Sequence, residues 1–271
     1  MTELLTLGAV AYSPAVVGVW EGMKEYFADS DAPFDFVLYS NYGRLVDALR
    51  KGEVDIAWNT NLAYVRAMLQ TDNGCRALAM RDIDTVYSTV FVSAAGSGRT
   101  GPGAVAGRRL ALGSADSAHA AILPLHYLQQ AGVDLDTITV IRFNSDLGKH
   151  GDTGRSEIDA LEAVIAGEAD VAAIGISTWE KIGEGDFLPG AVEKVWQTPD
   201  YSHCAFTVLS SSPPELTAAW TRHLMAMNPS DPEQRRIMTL EGVKDHWATP
   251  ALDGYQSLFT AVERQGIDPT W

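Results

Sequence analysis

The chain has 271 residues, of which 46% are hydrophobic and 20% charged, proportions typical of a soluble globular protein with a large core. Its formal net charge of -15 at pH 7 excludes nucleic acid and an anionic membrane surface as general partners, because both would be repelled. It does not exclude a small anionic ligand, since helix N-termini with Ser, Asn, His and Tyr groups can bind an anion inside an acidic protein. No apolar run is long enough to span a bilayer, so we expect no membrane insertion.

The N-terminus shows no secretory signal, because the acidic start Met1-Thr2-Glu3 is followed at once by the short, strand-like segment LLTLGAV. We therefore expect a cytoplasmic protein as the sequence stands, or a periplasmic or extracellular one if a leader was removed. The two cysteines, Cys75 and Cys204, exclude a disulfide framework and leave a single bridge open.

The first third of the chain alternates strand and helix patterns. Helices are predicted at 16–27 and from Tyr42, between the strand-like segments LLTLGAV, FDFVLY and VDIAWN. Strands separated by helices predict a parallel sheet in an α/β fold. The strand-like run TVYSTVFVSAA then ends in the glycine-rich segment GSGRTGPGAVAG, which is a plausible domain boundary.

A second α/β unit follows this boundary. It contains the strand RRLALGS, a helix at 123–130, the strand TITVIRFN, a helix at 157–165 and the strand VAAIGI. The segments RKGEVDIAWN and IAGEADVAAIG repeat one arrangement, a helix end, a glycine, an acidic residue and a buried strand. The repeat predicts two similar lobes that face one ligand cleft. After 231 the chain is predicted to be helical, with breaks.

The chain resembles the substrate-binding proteins of ABC transporters for phosphate, phosphite and phosphonate. The resemblance covers nearly the whole length and is best in SNYGRLVDALRKGEVDIAWNTNLAYVRA and LALGSADSAHAAILPLHYLQQAGV. It implies the two-lobed type II periplasmic-binding-protein (Venus-flytrap) fold, with a two-strand hinge and a small oxyanion held by both lobes. We expect lobe one to comprise 1–92 and 205–271, and lobe two 93–204.

The resemblance also implies ligand-binding positions. Tyr42 and Tyr87 match aromatic positions of the family, Trp58 and Asn59 lie at the corresponding strand end, and Ser117 begins the anion-binding loop. An alternative for the strand end stays open, in which the tryptophan belongs to the core and the asparagines cap the next helix.

The anion-binding loop departs from the family pattern. The family usually has Ser-Thr-Ser-Gly, whereas this chain has Ser117-Ala118-His119-Ala120, which removes two hydroxyl donors. Each unmatched buried ligand oxygen costs on the order of 1–3 kcal/mol. The loop therefore favours a carboxylate or other planar anion, relative to a phosphonate, more than the family pattern does.

A second departure is the long, glycine-dotted loop KHGDTGR, which carries His150 and Asp152. With His119, and with His203 after the returning linker, it supplies groups that could bind an anion, transfer protons or ligate a metal. No HExxH or CxxC spacing identifies a metal site. The metal ligands are therefore left unknown, and a divalent metal is an alternative to ordinary loop hydrogen bonding.

Two main functions follow from these patterns. In the first, the chain is a solute-binding protein that captures a small phosphonate-like, phosphate-like or carboxylate anion and, if exported, delivers it to an ABC permease. In the second, it is a cytoplasmic enzyme of lyase or decarboxylase type on the same scaffold, with His119, His150 and Asp152 as catalytic residues. A cytosolic ligand-sensing module is a third alternative, and a homodimer is left open.

Overall fold

The computed structural model describes residues 4–185 and 190–270. Their packing defines two compact units. The first unit consists of residues up to Val86, Ser202–Gln256 and residues from Asp268, and the second of Tyr87–Tyr201 and Ser257–Ile267. The predicted lobes, 1–92 with 205–271 and 93–204, stay a prediction, and the predicted acidic start Met1-Thr2-Glu3 lies outside the described residues.

The elements follow one another much as the sequence patterns indicate. The strands are β1 (Leu5–Val10), β2 (Phe34–Tyr39), β3 (Ile56–Asn59), β4 (Cys75–Arg81), β5 (Thr89–Ala94), β6 (Arg109–Leu112), β7 (Thr139–Arg142), β8 (Val171–Gly175), β9 (Val192–Gln197), β10 (Ala205–Leu209) and β11 (Trp247–Ala248). The helices are α1 (Val16–Phe27), α2 (Tyr42–Lys51), α3 (Asn61–Gln70), α4 (Leu123–Gln130), α5 (Arg155–Ile165), α6 (Ile176–Gly183), α7 (Pro214–Met225), α8 (Pro232–Glu241) and α9 (Gln256–Arg264). None of these helices is long and apolar enough to cross a membrane.

The sheet of the first unit has the order β11-β4-β10-β3-β1-β2. Strand β1 pairs in parallel with β2 and β3, but β10 lies between β3 and β4 and runs antiparallel to both, and β11 is antiparallel to β4. The three strands of the first third are therefore parallel, as predicted, but the sheet as a whole is mixed. The reason is that β10 starts opposite Asn59, the last residue of β3, and runs back along it.

The sheet of the second unit has the order β7-β6-β8-β5-β9 and is also mixed. Strand β6 is parallel to β7 and β8, whereas β5 is antiparallel to β8 and to β9. Strands β6, β7 and β8 therefore end at one edge of the sheet. The first residue of β5, Thr89, pairs with the last of β8, Gly175, so Tyr87 also lies near this edge.

Each unit has its own apolar core. In the first unit the Trp220 ring stacks on Phe27, with ring centroids 5.3 Å apart, and meets the edge of Phe206 at 4.8 Å. The core of the second unit contains Phe91 and Leu110, both fully buried. Burial of large side chains of this kind contributes roughly 1.5–3 kcal/mol each to folding.

Three of the helix boundaries near the strand ends follow from local sequence. Asn41 caps α2 by accepting a hydrogen bond from the Arg44 N–H, at 2.9 Å, and Gly52 ends α2 in the left-handed conformation with φ 70°. Thr60 caps α3 by accepting from the Ala63 N–H. These caps fix the chain at both ends of the segment that contains β3.

Candidate functional site

In the second unit, polar side chains gather where β6, β7 and β8 end. Ser117 follows β6 and caps a single π-helical turn, Ala118–Ile122, by accepting from the Ala120 N–H at 3.2 Å. His119 lies on this turn and is 4% exposed. Its Nε2 is 3.5 Å from Oε1 of Glu157, and its ring contacts that of Tyr87, with centroids 5.8 Å apart. Ser117, His119 and Tyr87, all predicted site residues, thus share one edge of one sheet.

Glu157 belongs to this cluster although the sequence analysis did not select it. The Gly175 N–H donates to its Oε1, and Thr178 Oγ1 donates to its Oε2 at 2.6 Å. Burial raises the pKa of Glu157, and the two hydrogen bonds oppose this rise only in part. A carboxyl group with a raised pKa beside an imidazole can exchange a proton with it, so the Glu157–His119 pair has acid–base capacity.

A sequence signal for Glu157 does exist. Residues Glu157, Ala160, Leu161 and Val164 have the i, i+3, i+4, i+7 spacing of one helix face, and all four are buried. An acidic residue on an apolar helix face is expensive to bury unless it is hydrogen-bonded. That placement marks it as a candidate functional residue.

The long loop with His150 packs directly against the Ser117–His119 segment. A Cβ atom added to Gly151 would lie 2.8 Å from Ser117 Oγ and 3.2 Å from the Cε1 and Nε2 atoms of His119. His150 and Gly151 both have left-handed backbone, with φ 55° and 89°. His150 is 2% exposed, with Nε2 4.0 Å from Asp116 Oδ2.

The second unit therefore brings together four predicted ligand-binding residues, Tyr87, Ser117, His119 and His150. Asp152, the remaining predicted catalytic residue, lies half-buried on the same loop. The roles of these residues in binding or catalysis stay predictions.

In the first unit, Tyr42 and Trp58 are both core residues. Tyr42 begins α2 and is 2% exposed. The Trp58 ring lies 4.4 Å from that of Phe206 and 6.1 Å from that of Trp247, measured between centroids, and the Arg81 guanidinium is 5.4 Å from its centre. Both side chains thus contribute to packing, and their predicted contacts with ligand stay predictions.

Asn59 differs from its neighbours at the end of β3. It is fully buried, and neither its side-chain nitrogen nor its oxygen has a hydrogen-bond partner among the described residues. By contrast, Asn61 accepts from the Leu62 N–H at 2.9 Å and donates to the Ser202 carbonyl at 3.2 Å. The helix cap is Thr60, so Asn59 does not serve as the cap, and its predicted contact with a ligand stays a prediction.

His203 lies in a buried charged network of the first unit. Its Nδ1 is 3.2 Å from Asp84 Oδ1 and 3.1 Å from Cys204 Sγ. Arg81 donates to both oxygens of Asp84, at 2.5 and 2.9 Å. Burial acts to raise the pKa of Asp84, but Arg81 and His203 outweigh it and lower this pKa to about 2. Cys75 and Cys204 are not bonded to each other, so the single disulfide that the sequence left open is not formed.

A surface groove of ≈ 720 Å³ also occurs in the first unit, beside α7 and β4, with Arg76, Thr217 and Arg222 in its wall. None of the predicted site residues lines it. The strand ends concentrate buried polar groups, whereas the groove is mainly apolar, so we assign the candidate site to the strand ends.

These two mixed sheets, with buried polar groups at the strand ends of each unit, define a type II periplasmic-binding-protein fold. Residues 11–253 match the family described as ABC transporter, phosphonate, periplasmic substrate-binding protein. The chain belongs to this family.

Individual relatives are more distant. The chain is 27% identical over 185 residues to the probable ABC transporter phosphite-binding protein PhnD1 of Prochlorococcus marinus, a match that spans 66% of this chain and 59% of that protein. The structure of P. marinus PhnD1 with methylphosphonate has a TM-score of 0.74 at 19% identity, over 98% and 99% of the two chains. XAC2383 of Xanthomonas citri bound to ATP has a TM-score of 0.73 at 17% identity, over 98% and 99%.

The structural matches confirm the predicted fold class. The family match and the curated relative confirm the predicted family and, in coarse form, the predicted function as a binding protein for a small anion. They favour this function over the enzyme alternative. The family implies a small anionic ligand and an ABC permease as partners, and its members are periplasmic, which supports the second of the two predicted locations.

Proposed function

We propose that the chain captures a small phosphorus oxyanion, of the phosphite or methylphosphonate type, and delivers it to an ABC permease. Two findings support this ligand class: the family description names phosphonate, and the P. marinus relative is described as phosphite-binding. Tyr87, Ser117, His119 and His150 of the second unit would supply hydrogen bonds to the oxyanion, as the sequence predicts.

The observation that carries the proposal is the buried, unpartnered amide of Asn59. An unsatisfied polar group in a protein interior costs about 1–3 kcal/mol. The Asn59 amide lies at the carboxyl end of a central strand, and the free energy lost by burying it is recovered when a ligand pairs with it. The side-chain nitrogen can donate to an anionic oxygen, and the side-chain oxygen can accept from a protonated or hydroxylated group of the ligand.

A small carboxylate is the second candidate, and a specific observation favours it. The turn that Ser117 caps has alanine at positions 118 and 120, which provide no side-chain donors. Glu157 lies beside His119 of this turn, and Asp116 lies beside His150 of the adjacent loop. A planar monoanion needs fewer donors than a tetrahedral dianion and is less strongly repelled by neighbouring carboxylates.

Two matched asparagine variants test the proposal. Because the Asn59 amide has no hydrogen-bond partner in the part of the chain that the structure describes and the Asn61 side chain has two, Asn59→Leu should raise or preserve the free energy of unfolding, whereas Asn61→Leu should lower it by about 1–3 kcal/mol. Isothermal titration calorimetry with phosphite, methylphosphonate, phosphate, methanesulfonate and acetate then identifies the ligand class.

We expect wild-type protein and Asn61→Leu to bind one of the phosphorus oxyanions and Asn59→Leu to bind it at least about tenfold more weakly, a loss of about 1.4 kcal/mol. Acetate binding in place of the phosphorus oxyanions would support the second candidate. Unchanged affinity of Asn59→Leu for the oxyanion would refute the proposed contact between the amide and the ligand. Turnover of any bound compound would support the enzyme alternative.

We also propose that the protein acts in the periplasm, as its family members do. Fractionation of the native source by osmotic shock tests this location, and recovery only with cytoplasmic markers would refute it. The homodimer that the sequence left open is tested by light scattering of the protein with and without its ligand.

A further inference from the structure

A second buried cluster in the first unit points to a function separate from anion capture. Asp84, His203 and Cys204 are 0%, 6% and 5% exposed. One potential ligand atom from each, a carboxylate oxygen, a ring nitrogen and a sulfur, lies within 4.8 Å of the others. We propose that these three residues bind one divalent transition-metal ion of the Zn²⁺ type.

The geometry of the His203 ring carries this proposal. A single ring nitrogen, Nδ1, faces both the Cys204 sulfur at 3.1 Å and the Asp84 oxygen at 3.2 Å. A metal ion bound by the nitrogen, the sulfur and the oxygen takes the place of the proton on Nδ1. The His203 proton then resides on Nε2, and the Cys204 thiol releases its proton to solvent, so that binding the ion releases one proton.

The two distances from His203 Nδ1 are close to those of a tetrahedral zinc site. Zinc binds nitrogen and oxygen at about 2.0–2.2 Å and sulfur at about 2.3 Å, which places the ligand atoms of a tetrahedron about 3.3–3.6 Å apart. The two contacts of Nδ1 are shorter than this by only a few tenths of an ångström, a difference that small side-chain rotations can supply. A sulfur, nitrogen and oxygen set selects zinc-like ions over Mg²⁺ and Ca²⁺, which prefer oxygen ligands throughout.

The surrounding charges are compatible with a bound dication. Arg81 donates to both oxygens of Asp84 and so fixes the orientation of the carboxylate, as outer partners of metal ligands commonly do. Its Nη1 donates to the Glu241 main-chain carbonyl, and the buried Glu241 carboxylate is near enough to interact with the guanidinium charge. A dication, the Asp84 carboxylate, the Cys204 thiolate, Arg81 and Glu241 together carry no net charge.

Cobalt substitution tests the site in the intact chain. Co²⁺ bound to a thiolate gives a sulfur-to-metal charge-transfer band in the near ultraviolet, a readout that does not depend on anion binding. We expect this band at one equivalent of Co²⁺, its displacement by Zn²⁺, and one zinc per chain retained after desalting.

The chain offers a matched pair of variants, because Cys75 and Cys204 are both 5% exposed and both belong to the first unit. Cys204→Ser should abolish the band and weaken Zn²⁺ binding by more than about 100-fold, beyond the 10–100-fold effect typical of outer partners. Cys75→Ser should retain both. Circular dichroism and anion titration check that each variant is folded.

Absence of the cobalt band in folded wild-type protein would overturn the proposal, as would an equal band in Cys204→Ser. Loss of the band in a folded Cys75→Ser variant would also contradict it. Failure of anion binding with an intact cobalt band would refute the proposed function and leave the metal site standing.

Discussion

Replacement of Asp84 by asparagine tests how strongly the buried ion pair with Arg81 stabilises the first unit. The Asp84 side chain is fully buried and that of Arg81 is 17% exposed. Lowering the pKa of this carboxyl from 3.8 to about 2 corresponds to roughly 2 kcal/mol in the free energy of unfolding at neutral pH. Asp84→Asn also leaves the guanidinium buried without its counter-charge, so we expect a total loss of about 3–5 kcal/mol.

Asp170 provides the matched control. The hydrogen bond from the Arg109 guanidinium lowers the pKa of Asp170 also to about 2, but the Asp170 and Arg109 side chains are 22% and 44% exposed. Solvent screens this pair, and Asp170→Asn should therefore cost at most about 1 kcal/mol. The measurement is urea unfolding at pH 7, with a chelator present so that bound metal does not contribute.

The pH dependence gives a second check on Asp84. Because the folded-state pKa is lower than the unfolded-state value, its stabilising contribution is present above about pH 4 and is lost as the pH falls toward about 2. The stability difference between wild type and Asp84→Asn should narrow over this interval. Equal losses in the two variants, or a difference that does not narrow, would refute the argument from burial.

Two further predictions concern the second unit. A Cβ at Gly175 would overlap the Tyr87 hydroxyl, so Gly175→Ala should lower the free energy of unfolding by about 1–3 kcal/mol. Gly183 lies in open space on α6, so Gly183→Ala should change the free energy of unfolding by less than about 1 kcal/mol. Equal effects of the two variants in urea unfolding would contradict this prediction. Glu157→Gln can accept from the Gly175 N–H through its amide oxygen and donate to Thr178 Oγ1 through its amide nitrogen, so it should also stay within about 1 kcal/mol. Glu157→Ala leaves two donors unpaired and should cost about 1–3 kcal/mol. Because burial raises the pKa of Glu157, wild type should gain stability relative to Glu157→Gln as the pH falls through that raised value, and a loss instead would show that the charged carboxylate is preferred.

The sequence predicted those elements whose pattern is strong and local. Helix α2 is an example, because its apolar positions recur at helical spacing and its ends carry Asn41 and Gly52. Strand β11 has only two residues, Trp247 and Ala248, and therefore no period to read; it exists because it pairs with the end of β4. The antiparallel course of β10 was also missed, because the direction of a strand depends on where a distant segment of the chain returns to the sheet.

The site residues show the same division between local and distant information. Asn59 could be selected from the sequence because it is the last residue of a buried strand. Asp84 could not, because its significance arises from His203 and Cys204, more than a hundred positions later in the chain. Trp58 shows the ambiguity that remains, since a large aromatic residue at a strand end is equally suited to the core and to a ligand.

The two departures from the family pattern in the second unit are physically linked. The pattern Ser-Thr-Ser-Gly has hydroxyl side chains where this chain has Ala118 and His119, so the turn that Ser117 begins lacks two hydroxyl donors. Gly151 occupies the adjacent space so closely that a methyl group on it would clash with Ser117 and crowd His119. The loop therefore meets the turn at Ser117 and at His119, which stands in place of one of the two missing hydroxyls, so the donor change and the long loop share a contact. Replacing His119 by Ser should therefore alter the packing of the His150 loop as well as the donor set of the turn.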